Sequence, residues 1–218
     1  MVDSPALPAA TSRHCAILLL GPTGSGKTPL GELLERRGLW GHACHHFDFG
    51  ANLREVVANN RPDEQISASD IAFLSNVLQS GALLEDEHFS LAVRILDCFV
   101  AARGVESPDW LVLNGLPRHV GQAKALEGIL RVEAVVRLEC TPEAVMERIR
   151  ANSGGDRSGR PDDSPLDGAR KLAIFSIRTA PLLNYYQELG VRVETTPVTP
   201  ETGAEEIHRS LEAAGLQG

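Results

Sequence analysis

The run Gly21-Pro22-Thr23-Gly24-Ser25-Gly26-Lys27-Thr28 fits the pattern G-x-x-x-x-G-K-[ST] and follows directly on the apolar stretch Cys15 to Leu20. No other feature restricts the fold as much, because such a loop works only between a strand that delivers it and a helix whose N-terminus faces the same anion. The glycines let the backbone curl until its N–H groups converge on phosphate oxygens, Lys27 adds a mobile positive charge, and the Thr28 hydroxyl is a ligand for Mg²⁺. Pro29 suits the first turn of the helix that must follow. Lysine is scarce, occurring only at Lys27, Lys124 and Lys171, so a lysine at this point of the pattern owes little to composition. The chain is expected to bind a nucleoside triphosphate.

Short apolar runs alternate with longer segments of helical period, the signature of an α/β fold in which helices cover a parallel sheet. The pattern predicts five strands, at Cys15 to Leu20, Ala43 to Phe47, Trp110 to Leu113, Ala134 to Leu138 and Val191 to Thr195. It predicts helices at Leu30 to Arg37, Leu53 to Asn59, Asp70 to Gln79, Asp86 to Ala102, Val120 to Ile129, Pro142 to Ala151, Leu166 to Leu189 and Pro200 to Ala214. Leu53 to Leu84 holds two helices with no strand between them, as an insert on the sheet would. Ile71, Leu74, Val77 and Leu78 fall at helical spacing and read as core. Asn152 to Pro165 is polar, charged and turn-rich, the composition of a lid over a site.

The formal charge is −8, with 29 acidic against 21 basic residues and no basic block, which argues against nucleic acid as a partner. Cys15, Cys44, Cys98 and Cys140 are widely spaced and no apolar leader is recognisable, so a reduced, cytoplasmic setting is expected. The longest apolar run falls far short of the roughly twenty residues of a membrane span. Residues 1–13 read as a mobile tail ahead of one domain over 14–218. His42-Ala43-Cys44-His45-His46 invites a metal reading, but His45 and His46 point to opposite faces of a strand and no second Cys or His pair completes a tetrahedral site.

Ligands of open α/β sheets bind at the carboxyl ends of the strands. Two of those ends carry arginines, in Asp48-Phe49-Gly50-Ala51-Asn52-Leu53-Arg54 and in Asn114-Gly115-Leu116-Pro117-Arg118, the latter followed by Gln122; Arg148, Arg157 and Arg160 flank the lid. Phosphoryl transfer needs mainly such positioning and charge. With Gly159-Arg160-Pro161-Asp162-Asp163 and Thr179-Ala180-Pro181-Leu182-Leu183-Asn184-Tyr185-Tyr186, these motifs make the stretch from Ala16 to about Leu189 resemble the adenylate kinase-like nucleoside monophosphate kinases. The resemblance implies a phosphate-loop kinase fold with an acceptor-binding insert over 48–84 and a short lid over 151–165, too short for a zinc cluster. It implies ATP as phosphoryl donor, held by Gly21, Thr23, Gly24, Ser25, Gly26, Lys27, Thr28 and Arg148, with Mg²⁺ on Thr28. It implies a nucleoside monophosphate acceptor held by Phe49, Gly50, Arg54, Gly115, Arg118, Gln122, Arg160 and Lys171. Gln122 would read the base, which favours AMP, while Lys27, Arg118, Arg148 and Arg160 would act in catalysis and the protein would be a monomer.

Four positions depart from that family's pattern. Asn114 and Ala51 stand where aspartates usually help to organise Mg²⁺, so Asp48 and Asn114 become the candidates around the metal. Phe49 replaces a small hydroxyl residue, and Lys171 replaces an arginine whose bidentate contact a lysine cannot reproduce. Two other readings compete with the kinase: a degenerate fold that binds nucleotide as a sensor or partner module, and a kinase of small metabolites with an acceptor site rebuilt around Asp48 and Phe49.

Overall fold

The computed structural model describes residues 13–80, 84–155 and 165–215. Arg157, Arg160, most of the expected lid and all but the end of the expected tail lie outside the described residues. Strands β1 (His14–Leu20), β2 (Cys44–Asp48), β3 (Trp110–Asn114), β4 (Leu130–Glu139) and β5 (Arg192–Pro197) form one parallel sheet in the order β2-β3-β1-β4-β5. Along β1 the side chains alternate between faces, and both faces are apolar. Ala16, Leu18 and Leu20 join Phe47, Leu111, Leu113 and Val135 on one side, under α4 (Phe89–Arg103), α5 (Val120–Leu126) and α8 (Pro181–Glu188). Ile17 and Leu19 join Val112, Val136 and Leu138 on the other, under α1 (Lys27–Arg37) and α9 (Ala204–Gly215). Burial on both faces explains why the strands read as continuous apolar runs.

The register fixes the site. Asp48 pairs with Asn114, and Asn114 with Leu19, so the ends of β2 and β3 lie level with the start of the phosphate loop. Between β2 and β3 the chain forms α2 (Phe49–Asn59), α3 (Ala68–Ser80) and, after a 3₁₀ turn, α4, with no strand among the described residues. Helix α6 (Pro142–Ala151) has the predicted bounds because Thr141 accepts from Ala144 N as its cap and Pro142 opens it.

Other elements differ from expectation for local reasons. Helix α2 starts at Phe49 rather than Leu53 because the Asp48 side chain caps it by accepting from Ala51 N. Strand β4 starts at Leu130, with Arg131 and Glu133 paired at 2.6 Å along its early, outward-facing part. Helix α5 stops at Leu126 and α9 begins only at Ala204. The single helix expected over Leu166 to Leu189 is three pieces: α7 (Pro165–Ile174), a π-turn (Phe175–Thr179) and α8. Pro181 has no N–H for the carbonyl four residues back and its ring crowds that carbonyl, so the turn widens and Ala180 N bonds Phe175 O at 2.8 Å.

Candidate active site at the carboxyl ends of the strands

The phosphate loop is closed by bonds between near neighbours. Gly24 and Gly26 have φ of 79° and 97°, a region glycine enters without steric cost. A Cβ at Gly21 would lie 2.6 Å from Ser25 Oγ. That buried hydroxyl donates to Pro22 O at 2.9 Å, and Ser25 N donates to the same oxygen at 3.3 Å. Lys27 is the first residue of α1, and its Nζ donates to Gly21 O at 2.7 Å and to Pro22 O at 2.8 Å, which lays the ammonium across the loop.

Beside the loop, three strand-end and helix-end groups form a polar corner. Thr28 Oγ1 donates to Asp48 Oδ2 at 2.9 Å. Asn114 Nδ2 donates to the same Asp48 oxygen at 2.9 Å and to Thr28 Oγ1 at 3.1 Å, and it lies 3.4 Å from His46 Nε2. Asp48 Oδ1 accepts from Ala51 N at 2.9 Å. The one carboxylate of this corner is therefore tethered through both oxygens. His46 is buried against α1 where Gly31 leaves space: a Cβ there would fall 2.2 Å from His46 Nε2. Burial lowers the His46 pKa below the ordinary imidazole value, opposed by the Asp48 carboxylate, so the ring stays neutral at pH 7. The other histidines of that segment have structural roles: His42 stacks on Trp110 at 4.1 Å between ring centroids, and His45 pairs with Asp109 at 2.9 Å.

One cleft of about 260 Å³ joins these groups to the acceptor-side candidates. Its lining includes Gly21, Thr23, Gly24, Gly26, Lys27 and Thr28 from the loop side. The lining continues through Asp48 and Asn114 beside the loop to Phe49, Gly50, Arg54, Gly115, Arg118, Gln122 and Lys171. Val77, Leu78, Leu84, Ile174 and Phe175 make the rest of that wall apolar. Phe49 is buried with its ring 6.2 Å from that of Phe47, so the departure from a hydroxyl residue extends the core up to the cleft. Desolvation lowers the pKa of Arg118, with Asp48 opposing.

Gln122 is buried with its amide held at both ends: Oε1 accepts from Arg118 N at 2.8 Å, and Nε2 donates to Leu84 O at 2.8 Å. The two ends of this amide cannot be exchanged without losing both internal bonds. Arg148 is not part of the cleft lining. It is buried against the loop, where Nε donates to Gly24 O at 2.9 Å and Nη1 to Thr199 O at 2.7 Å and Thr202 O at 2.8 Å. It ties the phosphate loop to the segment before α9, a position the notion of a lid arginine does not convey. Sequence reasoning also missed Leu84 and His46 as contributors. Thr179 was noticed only as part of a motif; its Oγ1 donates to Arg118 O at 2.8 Å.

A family model described as an AAA domain matches residues 17–164. The adenylate kinase of Synechococcus sp. (strain WH7803) is 33% identical over 205 residues, covering 91% of this chain and 97% of that protein. The adenylate kinase of Caulobacter vibrioides (strain NA1000 / CB15N) is 31% identical over 209 residues, covering 91% and 99%. That of Caulobacter sp. (strain K31) is 30% identical over 205 residues, covering 91% and 96%. No helix among the described residues is long and apolar enough to cross a membrane. The chain belongs to the adenylate kinase family, nucleoside monophosphate kinases built on a phosphate-loop fold.

Proposed function

We propose that this family member transfers the γ-phosphoryl group of ATP to a nucleoside monophosphate, AMP being the preferred acceptor, in a reaction that requires Mg²⁺. The supporting observation is that a single cleft receives the phosphate loop on one side and Arg54, Arg118 and Gln122 on the other. An acceptor phosphate oxygen attacks the γ-phosphorus, the bond to the β-phosphate oxygen breaks, and two nucleoside diphosphates leave. A phosphate monoester with a second pKa near 6 is largely a dianion at pH 7, so the attacking oxygen needs no base. Lys27 and the loop amides bind the β- and γ-oxygens, while Arg54 and Arg118 orient the acceptor phosphate. Arg157 and Arg160 would close on the phosphates from the lid and Lys171 would approach from α7, whereas Arg148 would act through the shape of the loop it braces.

The polar corner fits Mg²⁺, which prefers hard oxygen ligands and keeps several waters. The Thr28 hydroxyl would ligate it together with phosphate oxygens, and Asp48 would hold its waters; the ion supplies neutralising charge to the phosphates. Asp48 thus takes the part of the missing aspartates, and Asn114 steers it. Asn114→Asp would set a second carboxylate where an N–H now donates to Asp48 at 2.9 Å; bound Mg²⁺ offsets their mutual repulsion, so the variant should lower the Mg²⁺ requirement.

AMP is favoured by the polarity of Gln122. Adenine offers a donor at N6 and an acceptor at N1, and guanine reverses that order. An amide fixed by Arg118 N and Leu84 O cannot turn to suit both. Measuring ADP formation from ATP with a panel of monophosphates tests the proposal: AMP should give the highest kcat/KM and chelation of Mg²⁺ should abolish turnover. ATP binding without turnover on any monophosphate would refute it.

A further inference from the structure

Arg118 is fixed through its backbone by two side chains, one from the next turn of the chain and one from 61 residues away. Its N–H donates to Gln122 Oε1 at 2.8 Å and its carbonyl accepts from Thr179 Oγ1 at 2.8 Å, while its Nε donates to Gly115 O at 3.1 Å. These bonds close a circuit. Gln122 Nε2 donates to Leu84 O, the adjacent Glu85 pairs with Arg178 through two bonds of 2.9 and 3.3 Å, and Arg178 is followed by Thr179. The circuit joins three segments far apart in sequence, and Arg118 lines the cleft at the point where they meet.

Thr179 reaches Arg118 because it ends the π-turn. Each residue of a regular α-helix turns the next by about 100°, so a turn without the extra residue would aim the hydroxyl elsewhere. The preceding helix, α7, contributes Lys171 and Ile174 to the cleft, and Phe175 opens the π-turn.

We infer that Thr179 is a positioning residue for the acceptor phosphate: its hydroxyl, delivered by the π-turn, holds the Arg118 carbonyl and so sets where the guanidinium meets the acceptor. The inference rests on the reading of Arg118 as an acceptor contact. The test compares KM for AMP and for ATP, kcat and thermal midpoint in Thr179→Val, Thr179→Ser, Arg118→Ala and the double variant Thr179→Val/Arg118→Ala. Loss of one hydrogen bond to a backbone carbonyl should raise KM for AMP about tenfold in Thr179→Val. KM for ATP should stay within about twofold, Thr179→Ser should restore the acceptor KM, and Thr179→Val should add almost nothing once Arg118 is alanine. If Thr179→Val does not fold, Thr179→Ala is read in its place. An unchanged KM for AMP in Thr179→Val, beside a raised one in Arg118→Ala, would overturn the inference and leave the reading of Arg118 intact. Equal rises for AMP and ATP with a lowered midpoint would reduce Thr179 to a structural role, and an Arg118→Ala variant with normal AMP kinetics would remove the reading beneath it.

Discussion

The phosphate loop and the wall that carries Arg118 and Gln122 line one cleft but are built in opposite ways. The loop closes through bonds between residues three to six apart, from Ser25 and Lys27 to Pro22 and Gly21. The wall closes through Gln122 to Leu84, Thr179 to Arg118 and Arg178 to Glu85, separations of 38, 61 and 93 residues. The internal bonds of the loop need only β1 and α1, with Arg148 of α6 added as a brace on Gly24 O, whereas the wall exists only when the segments carrying Leu84, Arg118 and Thr179 have all docked. Bonds between segments far apart in the chain are lost together when any one of those segments undocks, so the wall should be the softer side, protected less from hydrogen exchange than the loop.

Substitutions on each side test that contrast. The largest effect is expected at Lys27, whose charge interacts more strongly with the transferring phosphoryl than with bound ATP. Lys27→Met should lower kcat by a few orders of magnitude, about 3 to 5 kcal/mol of transition-state stabilisation, with the thermal midpoint little changed. A near-normal rate would remove the loop from the mechanism. At the joint between the two sides, Asp48→Asn should raise the Mg²⁺ concentration for half-maximal rate ten- to a hundredfold, the usual cost of losing an outer partner of a metal. An unchanged Mg²⁺ dependence would show that the carboxylate serves only as the cap of α2.

On the wall itself, Arg54→Ala should weaken AMP saturation at least tenfold and leave ATP affinity nearly unchanged, since a charge-assisted contact contributes about 1.5 to 3 kcal/mol. Matched losses for both nucleotides would mean the two sides are not separable. The smallest effect concerns Glu85, whose pKa the Arg178 guanidinium lowers below the ordinary carboxylate value. A lowered folded-state pKa contributes stability that is present above the unfolded value near 4.3 and is lost as pH falls through the folded one. Both side chains are substantially exposed, so the contribution is under about 1 kcal/mol. Glu85→Gln should shift the thermal midpoint slightly at pH 7, and the shift should shrink as pH falls below the ordinary carboxylate value and the wild-type pair discharges.

The same contrast governs what could be read from the chain. The loop, the five strands and the capped start of α6 were legible because each depends on adjacent residues: a glycine pattern, an apolar run, a Thr-Pro pair. Asp48 was suspected beside the metal, but its second task as the cap of α2 was not, and the predicted start of that helix was late in consequence. Pro181 was in plain view inside the long helix expected over Leu166 to Leu189, yet a proline can break, kink or widen a helix, and its neighbours do not say which. Arg148 reads as a lid and ATP-binding arginine because it precedes the lid in sequence; its bonds to Gly24 O and to three carbonyls of the segment before α9 carried no signal. Leu84 carried no signal at all, since its contribution is a backbone oxygen.

Gly31 sets a limit on how far this protein's sequence can drift. The position lies on the back of α1 and touches no candidate substrate group, yet a single methyl there would meet His46 Nε2 and Cδ2 at 2.2 and 2.3 Å. The imidazole cannot retreat without leaving Asn114, and Asn114 in turn orients Asp48 and Thr28. The smallest possible change of residue would therefore propagate through His46 and Asn114 to the polar corner. One hydrogen atom on α1 thus governs the shape of a corner it never touches.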